Sequence, residues 1–247
     1  KSTGSFSCQS VETWLREESI FETLNVQQSK IVTEVYQAEL RLAISRNRQY
    51  RGKQFLHLLH GGPGTGKSHC ISIIKRMFEE AFHYTQGIDF EITALQAINA
   101  AAITGDTLHH AFGLNPFNDQ AVETGKDKDV GSKMYTAAQR VKQWKWLILD
   151  EISMVSAELI AQIDCLLRNI MSTVGNRKNK QNLDLPFGGL NILFCGDFFQ
   201  LDPPSGTSLG SMPTAYVAKG RKFPPSATTE HGLSLIHISE PTRPTPI

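Results

Sequence analysis

The sequence predicts an α/β fold in which a mostly parallel β-sheet is flanked by helices. Short apolar runs alternate with segments of helical period as far as about residue 200, which is the pattern of strands joined by crossover helices. The apolar runs are nearly continuous, as expected for strands that are covered on both faces. A glycine-rich phosphate-binding motif also lies between the first predicted strand and the next helix, the context that this motif requires.

The individual elements follow from their residue patterns. Apolar residues at helical spacing predict helices over residues 27–42, 67–82 and 157–170. Short apolar runs predict strands over residues 55–59, 90–93, 146–149 and 190–195. Beyond Gln200 no period survives, and eight of the 11 prolines lie between Pro203 and Pro246.

Composition places the chain among soluble globular proteins. It has 247 residues, of which 40% are hydrophobic and 20% charged, with a formal net charge of +1. The net charge gives no overall basic field for nucleic acid, although a local groove is enough to hold a single strand. The four cysteines lie far apart without a CxxC pair, which argues against a disulfide framework or a zinc site and fits an intracellular protein. The chain has no apolar run of about 18 residues and no signal peptide, so we expect no membrane association.

The phosphate-binding motif runs from Gly61 to Ser68 and follows the pattern G-x-x-x-x-G-K-[ST]. Glycines let the backbone N–H groups of such a loop turn towards phosphate oxygens, and the following helix points its positive end at the same anion. Lys67 is expected to reach the β- and γ-phosphates of ATP, and the Ser68 hydroxyl to help hold Mg²⁺. The residues predicted to bind the nucleotide are Gly61, Gly62, Pro63, Gly64, Thr65, Gly66, Lys67 and Ser68.

Two acidic residues, Asp150 and Glu151, follow the apolar strand that begins at Trp146. A parallel strand that ends in this way delivers carboxylates to the carboxyl edge of the sheet, where α/β proteins bind ligands. We expect Asp150 to hold Mg²⁺, directly or through water, and Glu151 to orient and activate the attacking water. A strand ending in Asp-Glu is common in itself, so its meaning here depends on the phosphate loop.

Three further sequence blocks indicate a particular family of P-loop proteins. Residues 147–154 have the sequence LILDEISM, residues 186–190 have PFGGL, and residues 195–204 have CGDFFQLDPP. Over roughly residues 24–204 the chain resembles the Pif-type (petite integration frequency) helicases and their relatives in Helitron transposons. The resemblance implies a RecA-like P-loop domain that uses ATP and Mg²⁺ to move 5′→3′ along single-stranded DNA and to unwind 5′-tailed duplexes. It also implies roles in DNA repair, recombination and telomere maintenance, in the nucleus or mitochondrion of a eukaryote and otherwise in the cytoplasm.

The resemblance also assigns roles to individual residues. Residues 24–28, with the sequence LNVQQ, are similar to the adenine-reading block of the family, so Gln28 would contact the base. Gln200 would sense the γ-phosphate and act in catalysis together with Lys67 and Glu151.

The block that faces DNA in the family is less similar. Residues 93–100 have the sequence TALQAINA, where the family usually has TAPTGIAA, and the GDTLH of residues 105–109 then resembles the family's G-x-T-I-H. For two members of this block, His109 and Phe112, a structural or core position is the alternative to a DNA contact. The residues predicted to contact DNA are Thr93, Thr107, His109 and Phe112.

The same resemblance divides the chain into four parts. Residues 1–26 are a lead-in, residues 27–205 form the first RecA-like domain with a small insertion at about 113–142, and residues 206–232 are proline-rich and irregular. Residues 233–243 have the sequence LSLIHISEPTR, which we interpret as a translated sequencing adapter, so 233–247 is left out of the fold. Because related helicases complete the ATP site with a second RecA-like domain, we expect this fragment to need that domain for activity. The first residue is Lys1, from which we expect an incomplete N-terminus.

Two other functions fit parts of the pattern. A P-loop ATPase of the AAA+ remodelling class also has a phosphate loop and an Asp-Glu strand. That class expects Asn or Thr at the end of the next strand, where this chain has GDFFQL, and this difference favours the helicase. An inactive transposon-derived relic that binds nucleotide would explain why residues 93–100 differ from the block that faces DNA in the family. Against it, the residues of the ATP site are intact, namely Lys67, Asp150, Glu151 and Gln200.

Overall fold

The computed structural model describes residues 13, 14, 16, 19–44, 54–114, 128–173, 185–210 and 231. Its centre is a sheet of five strands in the order β1-β5-β4-β2-β3, and every neighbouring pair is parallel. The predicted α/β fold with a parallel sheet is confirmed. In chain order the strands are β1 (Leu56–His60), β2 (Phe90–Ala94), β3 (Asp106–Thr107), β4 (Trp146–Asp150) and β5 (Asn191–Gly196).

Six helices accompany the strands in the described part of the chain. They are α1 (Val26–Ile44), α2 (Lys67–Arg76), α3 (Ala97–Ala102), α4 (Leu108–Phe112), α5 (Lys128–Val141) and α6 (Ala157–Ser172). Short 3₁₀ turns lie at Ile20–Thr23, Ile152–Met154 and Pro186–Gly189, and a π-helical turn at Met77–Ala81 continues α2. None of the helices that the structure describes is both long and apolar enough to cross a membrane.

The sheet has a hydrophobic cluster on each face. Strand β4 shows why its apolar run is continuous: Trp146 and Ile148 join the cluster that contains α1 and α2, whereas Leu147 and Leu149 join the cluster that contains α6. Successive side chains of a strand point to opposite faces, so a strand with helices on both sides needs an apolar residue at every position.

All seven elements predicted from the sequence are present, with ends that differ by at most two residues. The predicted helix over 67–82 changes to π-helical geometry after Arg76. Strand β3 and helices α3, α4 and α5 were not predicted. Helix α5 falls within the predicted insertion at 113–142, whereas residues 211–230 and the interpreted adapter at 233–247 lie outside the described residues.

A buried carboxylate on α6 fixes the turn that leads into β5. Asp164 has no exposed surface, and it accepts hydrogen bonds from the Phe187 backbone N–H and, at 2.7 Å, from Arg168 Nε. Phe187 and Gly188 both have left-handed backbone, with φ of 52° and 60°, which costs energy at a phenylalanine. A side chain at Gly188 would stand 2.7 Å from Met171. The turn is therefore tied to α6, and it sets the start of β5.

Candidate nucleotide site at the carboxyl edge of the sheet

Three neighbouring strands end at one place on the sheet. Strand β1 ends at His60 directly before the phosphate loop, β5 ends at Gly196 directly before Asp197, and β4 ends at Asp150. Because β5 lies between β1 and β4 and all three are parallel, these ends share one edge. The Gly61 N–H donates to the Gly196 carbonyl at 3.2 Å, which joins the start of the loop to the end of β5.

The phosphate loop turns through two glycines with left-handed backbone. Gly64 has φ of 74° and Gly66 has φ of 86°, values that only glycine adopts without strain. The Thr65 hydroxyl donates to the Gly62 carbonyl at 2.8 Å across the turn. The loop thus forms a concave run of backbone that ends where α2 begins at Lys67, an arrangement that suits an anion.

The Lys67 ammonium group lies within this loop. Its Nζ donates to the carbonyl oxygens of Gly61 at 2.5 Å and Gly62 at 3.1 Å. Its positive charge also lowers the pKa of Asp150, so it acts on the acidic residues as well as on the loop. Ser68 follows in the first turn of α2 and is exposed.

Asp150 is a buried carboxyl group with a perturbed pKa. Its residue is 6% exposed, and loss of hydration raises its pKa to about 6. The charge of Glu151 raises that pKa further, while a backbone hydrogen bond from Glu151 and the charge of Lys67 oppose the shift. Glu151 itself has left-handed backbone, with φ of 53°, at the point where β4 turns into the 3₁₀ segment.

A third acidic residue, Asp197, also faces the phosphate loop. It is 2% exposed, and a Cβ placed on Gly62 would stand 4.0 Å from Asp197 Oδ2. Its other oxygen accepts from the Phe199 N–H at 3.0 Å and lies 3.7 Å from His60 Nε2. In the sequence Asp197 belongs to the motif at residues 195–204 and was given no separate role. Its position directly after β5, similar to that of Asp150 at the end of β4, is the signal that would mark it as a candidate site residue.

Gln200 lies beside this group. Its N–H donates to the Asp197 carbonyl at 3.1 Å, and its side chain is exposed next to the aromatic ring of Phe199, which is 90% exposed. The predicted catalytic residues Lys67, Glu151 and Gln200 therefore lie in the segments that follow three adjacent strands.

Gln28 lies at the other end of the phosphate loop. It is 8% exposed, its Oε1 accepts from the Asn25 N–H at 2.9 Å, and its Nε2 donates to the Thr65 carbonyl at 2.8 Å. The Asn25 side chain in turn caps α1 by accepting from the Gln28 N–H at 2.9 Å. These bonds hold the Gln28 amide against the loop.

The residues predicted to contact DNA separate into two pairs. Thr93 has no exposed surface and its hydroxyl donates to the Ile148 carbonyl at 3.4 Å, while Phe112 is 1% exposed and packs edge-on against Trp144. Both side chains are thus buried in this structure, and Phe112 lies in the core, as its alternative has it. Their contact with DNA stays a prediction. Thr107 caps α4 by accepting from the His110 N–H at 3.3 Å, and His109 is half-buried in that helix. Of the four predicted DNA contacts, Thr107 and His109 are the two that have exposed surface in this structure.

Comparison with protein families shows to which family the chain belongs. The sequence model described as PIF1-like helicase matches residues 17–214, which contain all three strand ends and the phosphate loop. The chain belongs to the PIF1-like helicase family. Its RecA-like fold is the one expected from the sequence resemblance.

Relatives with assigned activities match the same region. The chain is 33% identical over 156 residues to the ATP-dependent DNA helicase PIF1 of Saccharomyces cerevisiae strain YJM789, a match that covers 59% of this chain and 15% of that protein. It is 35% identical over 143 residues to the ATP-dependent DNA helicase RRM3 of S. cerevisiae, covering 58% of this chain and 18% of that protein. The chain therefore spans about a sixth of the length of these PIF1-like relatives.

Solved structures of the family support the fold. The crystal structure of Pif1 helicase from Candida albicans superposes with a TM-score of 0.53 and 25% identity, over 74% of this chain and 34% of that chain. Unliganded Pif1 from Bacteroides sp superposes with a TM-score of 0.50 and 21% identity, over 81% of this chain and 36% of that one. At this identity the second match concerns the fold alone.

Proposed function

We propose that this chain is the ATP-binding part of a DNA helicase that moves 5′→3′ along single-stranded DNA and unwinds 5′-tailed duplexes. One observation carries the proposal: the phosphate loop, the Asp150–Glu151 pair and the Asp197–Gln200 segment meet at the ends of three adjacent strands. The family supplies the link to DNA, because the relatives with assigned activities are named ATP-dependent DNA helicases.

The residues at this edge fit Mg²⁺ and ATP. The left-handed glycines Gly64 and Gly66 shape a concave loop at the start of α2, which suits the phosphates. The Ser68 hydroxyl and the Asp150 carboxylate are oxygen ligands of the type that Mg²⁺ prefers. When bound, Mg²⁺ would neutralise part of the charge on the β- and γ-phosphate oxygens.

Each polar residue has a separate task in this proposal. The Lys67 ammonium would exchange its bonds to the Gly61 and Gly62 carbonyls for bonds to the β- and γ-phosphates. Glu151 would orient the attacking water and accept its proton. Gln200 would contact the γ-phosphate region, and Gln28 the adenine ring at the other end of the loop.

The DNA strand would pass over the neighbouring part of the same edge. Strand β2 lies next to β4, and β3 leads directly into α4, which carries His109 next to the capping residue Thr107. A shift of the segments at Gln200 or Glu151 during the ATP cycle would thus act close to the strand. In the proposed mechanism a second RecA-like domain of the same protein closes over the nucleotide and supplies an arginine to the γ-phosphate.

The two alternative functions predict a different result when the protein is given a DNA duplex. An AAA+-type ATPase or an inactive relic shares the phosphate loop but does not separate strands with a defined polarity. The test uses a protein in which this sequence is joined to the proposed second domain. ATP and Mg²⁺ are expected to drive separation of a 5′-tailed duplex and not of a matched 3′-tailed duplex. Equal unwinding of both, or ATP turnover without unwinding of either, would count against the helicase proposal.

A further inference from the structure

The phosphate loop has two ends with different surroundings. At one end, Gly62 faces the carboxylate of Asp197, beside the other acidic residues. At the other end, a Cβ placed on Gly66 would collide with the Gln28 amide nitrogen and lie 4.0 Å from the His69 Cβ. If the γ-phosphate and metal lie at the acidic end, as the proposed function requires, the nucleoside leaves the loop at the end lined by Gln28 and His69.

Within the described ranges His69 makes one polar contact, and the partner in that contact determines which ring nitrogen carries the proton. The residue is exposed in the first turn of α2, and its ring Nε2 lies 3.3 Å from the Thr23 hydroxyl oxygen. That hydroxyl donates its single proton to the Ile20 carbonyl at 2.8 Å. The Thr23 oxygen can therefore only accept from the ring. In the neutral ring this count places the proton on Nε2 and leaves a lone pair on Nδ1.

The remaining hydrogen-bonding capacity at this end consists of a donor and an acceptor. Among the residues that the structure describes, no other polar group bonds the His69 ring, so Nδ1 is free to accept. The Gln28 amide nitrogen carries two N–H groups and uses one on the Thr65 carbonyl, which leaves the other to donate. Because both residues lie within 4.0 Å of the Cβ position of Gly66, a ligand that bonds both would present an acceptor close to a donor.

Adenine has this arrangement on one edge, where N7 accepts and the 6-amino group donates, whereas guanine presents two acceptors, N7 and O6. We propose that His69 is a base-specificity residue that accepts a hydrogen bond from the 6-amino group of adenine through Nδ1 and thereby favours ATP over GTP. In guanine the O6 lone pairs would face the Nδ1 lone pair and weaken binding. The inference rests on the proposed nucleotide site and adds the residue that selects the base.

The test compares the affinities of the purified chain for ATP, GTP and inorganic tripolyphosphate, each with Mg²⁺. His69→Ala removes the ring, and His69→Phe keeps a planar ring without the acceptor. Both are expected to weaken ATP binding by about threefold to tenfold, the effect of one hydrogen bond. GTP affinity should stay the same or rise, and tripolyphosphate affinity should not change, because it has no base.

Matched controls separate this effect from general damage. His83→Asn alters another exposed histidine just beyond the far end of α2 and is expected to bind all three ligands as the wild type does. An unchanged ATP-to-GTP ratio in both His69 variants, or retention of that ratio in His69→Phe alone, would overturn the inference while nucleotide binding stands. A parallel loss of tripolyphosphate affinity would also overturn it, since His69 would then act on the phosphates. If the wild type binds neither ATP nor tripolyphosphate, both the proposed function and the inference fail.

Discussion

The carboxyl edge of the sheet has two halves of different construction. The nucleotide half, at the ends of β1, β5 and β4, consists of a backbone loop, the almost fully buried carboxylates of Asp150 and Asp197, and the partly buried Glu151. The DNA half, at the ends of β2 and β3, leads into two short helices, α3 and α4. In the nucleotide half the predicted residues meet at one place, whereas in the DNA half Thr93 and Phe112 are core residues.

The difference fits what each half would hold in the proposed function. A phosphate chain is bound by backbone N–H groups and fixed charges, so few sequences can build its site and the motif is easily recognised. A DNA strand is bound by many weak contacts that tolerate substitution. The departures in residues 93–100 therefore change the surface of the DNA half without altering the buried positions that support it.

The largest expected effect lies in the core of the DNA half. Phe112 packs against Trp144 within the cluster that contains α6, so Phe112→Ala is expected to lower the free energy of unfolding by about 3–5 kcal/mol. His109→Ala, on the same short helix, should leave stability nearly unchanged and weaken binding of single-stranded DNA. Urea unfolding and a DNA titration measure the two quantities. If Phe112→Ala lost DNA affinity at unchanged stability, Phe112 would be a DNA contact after all.

The next effect concerns catalysis in the nucleotide half. Glu151→Gln keeps the size of the side chain but cannot accept a proton from water. In the protein joined to the proposed second domain, ATP turnover is expected to fall by about 10²-fold or more while ATP affinity is maintained. Glu158→Gln, a substitution of the same chemistry on α6, serves as the control and should retain turnover. Near-normal turnover in Glu151→Gln would remove Glu151 from its proposed role.

The smallest effect is a stability gain at Asp150. Because burial raises the pKa of this carboxyl to about 6, its protonated form is favoured in the folded protein. The resulting stabilisation is complete at low pH and is lost as the pH rises through 6. Without metal at pH 7.5, Asp150→Asn is thus expected to raise the free energy of unfolding by about 2–3 kcal/mol.

The pH dependence of the Asp150→Asn effect shows whether the charge of the carboxylate causes the change in stability. The gain should shrink to under about 1 kcal/mol at pH 4, because the Asp150 carboxyl is then almost fully protonated in the folded protein and only about half ionised in the unfolded chain. Urea unfolding in the presence of a chelator measures it at each pH. A loss of stability in Asp150→Asn at pH 7.5 would show that the buried carboxylate supports the fold, contrary to this account.

The sequence was sufficient where one residue pattern has one structural solution. In β4 the residues from Trp146 to Leu149 are all apolar, so both faces of the sheet had to be covered. The loop from Gly61 to Ser68 required a strand before it and a helix after it. Strand β3 has two residues and α4 has five, which is too short for a period to appear. These elements form because Thr107 caps α4 and Thr93 pairs with Asp106, contacts that depend on the assembled sheet.

The remaining features of the site could be recognised only from the three-dimensional positions of the residues. Asp197 follows β5 much as Asp150 ends β4, but only the fold shows that its carboxylate lies opposite Gly62. The pairing of His69 with Thr23 joins residues that are 46 positions apart. No local pattern contains such a contact, so only the fold reveals it.

The most direct test of this account is a titration of the chain with ATP and Mg²⁺. Lys67 contacts the loop carbonyls, whereas Lys75, eight residues later on α2, contacts Thr104 away from the loop. Lys67→Ala is expected to weaken ATP binding by about tenfold to hundredfold, because it removes a charged hydrogen-bond donor to the phosphates. Lys75→Ala should bind ATP as the wild type does. Equal ATP affinity in the wild type and Lys67→Ala would contradict the assignment of the nucleotide half.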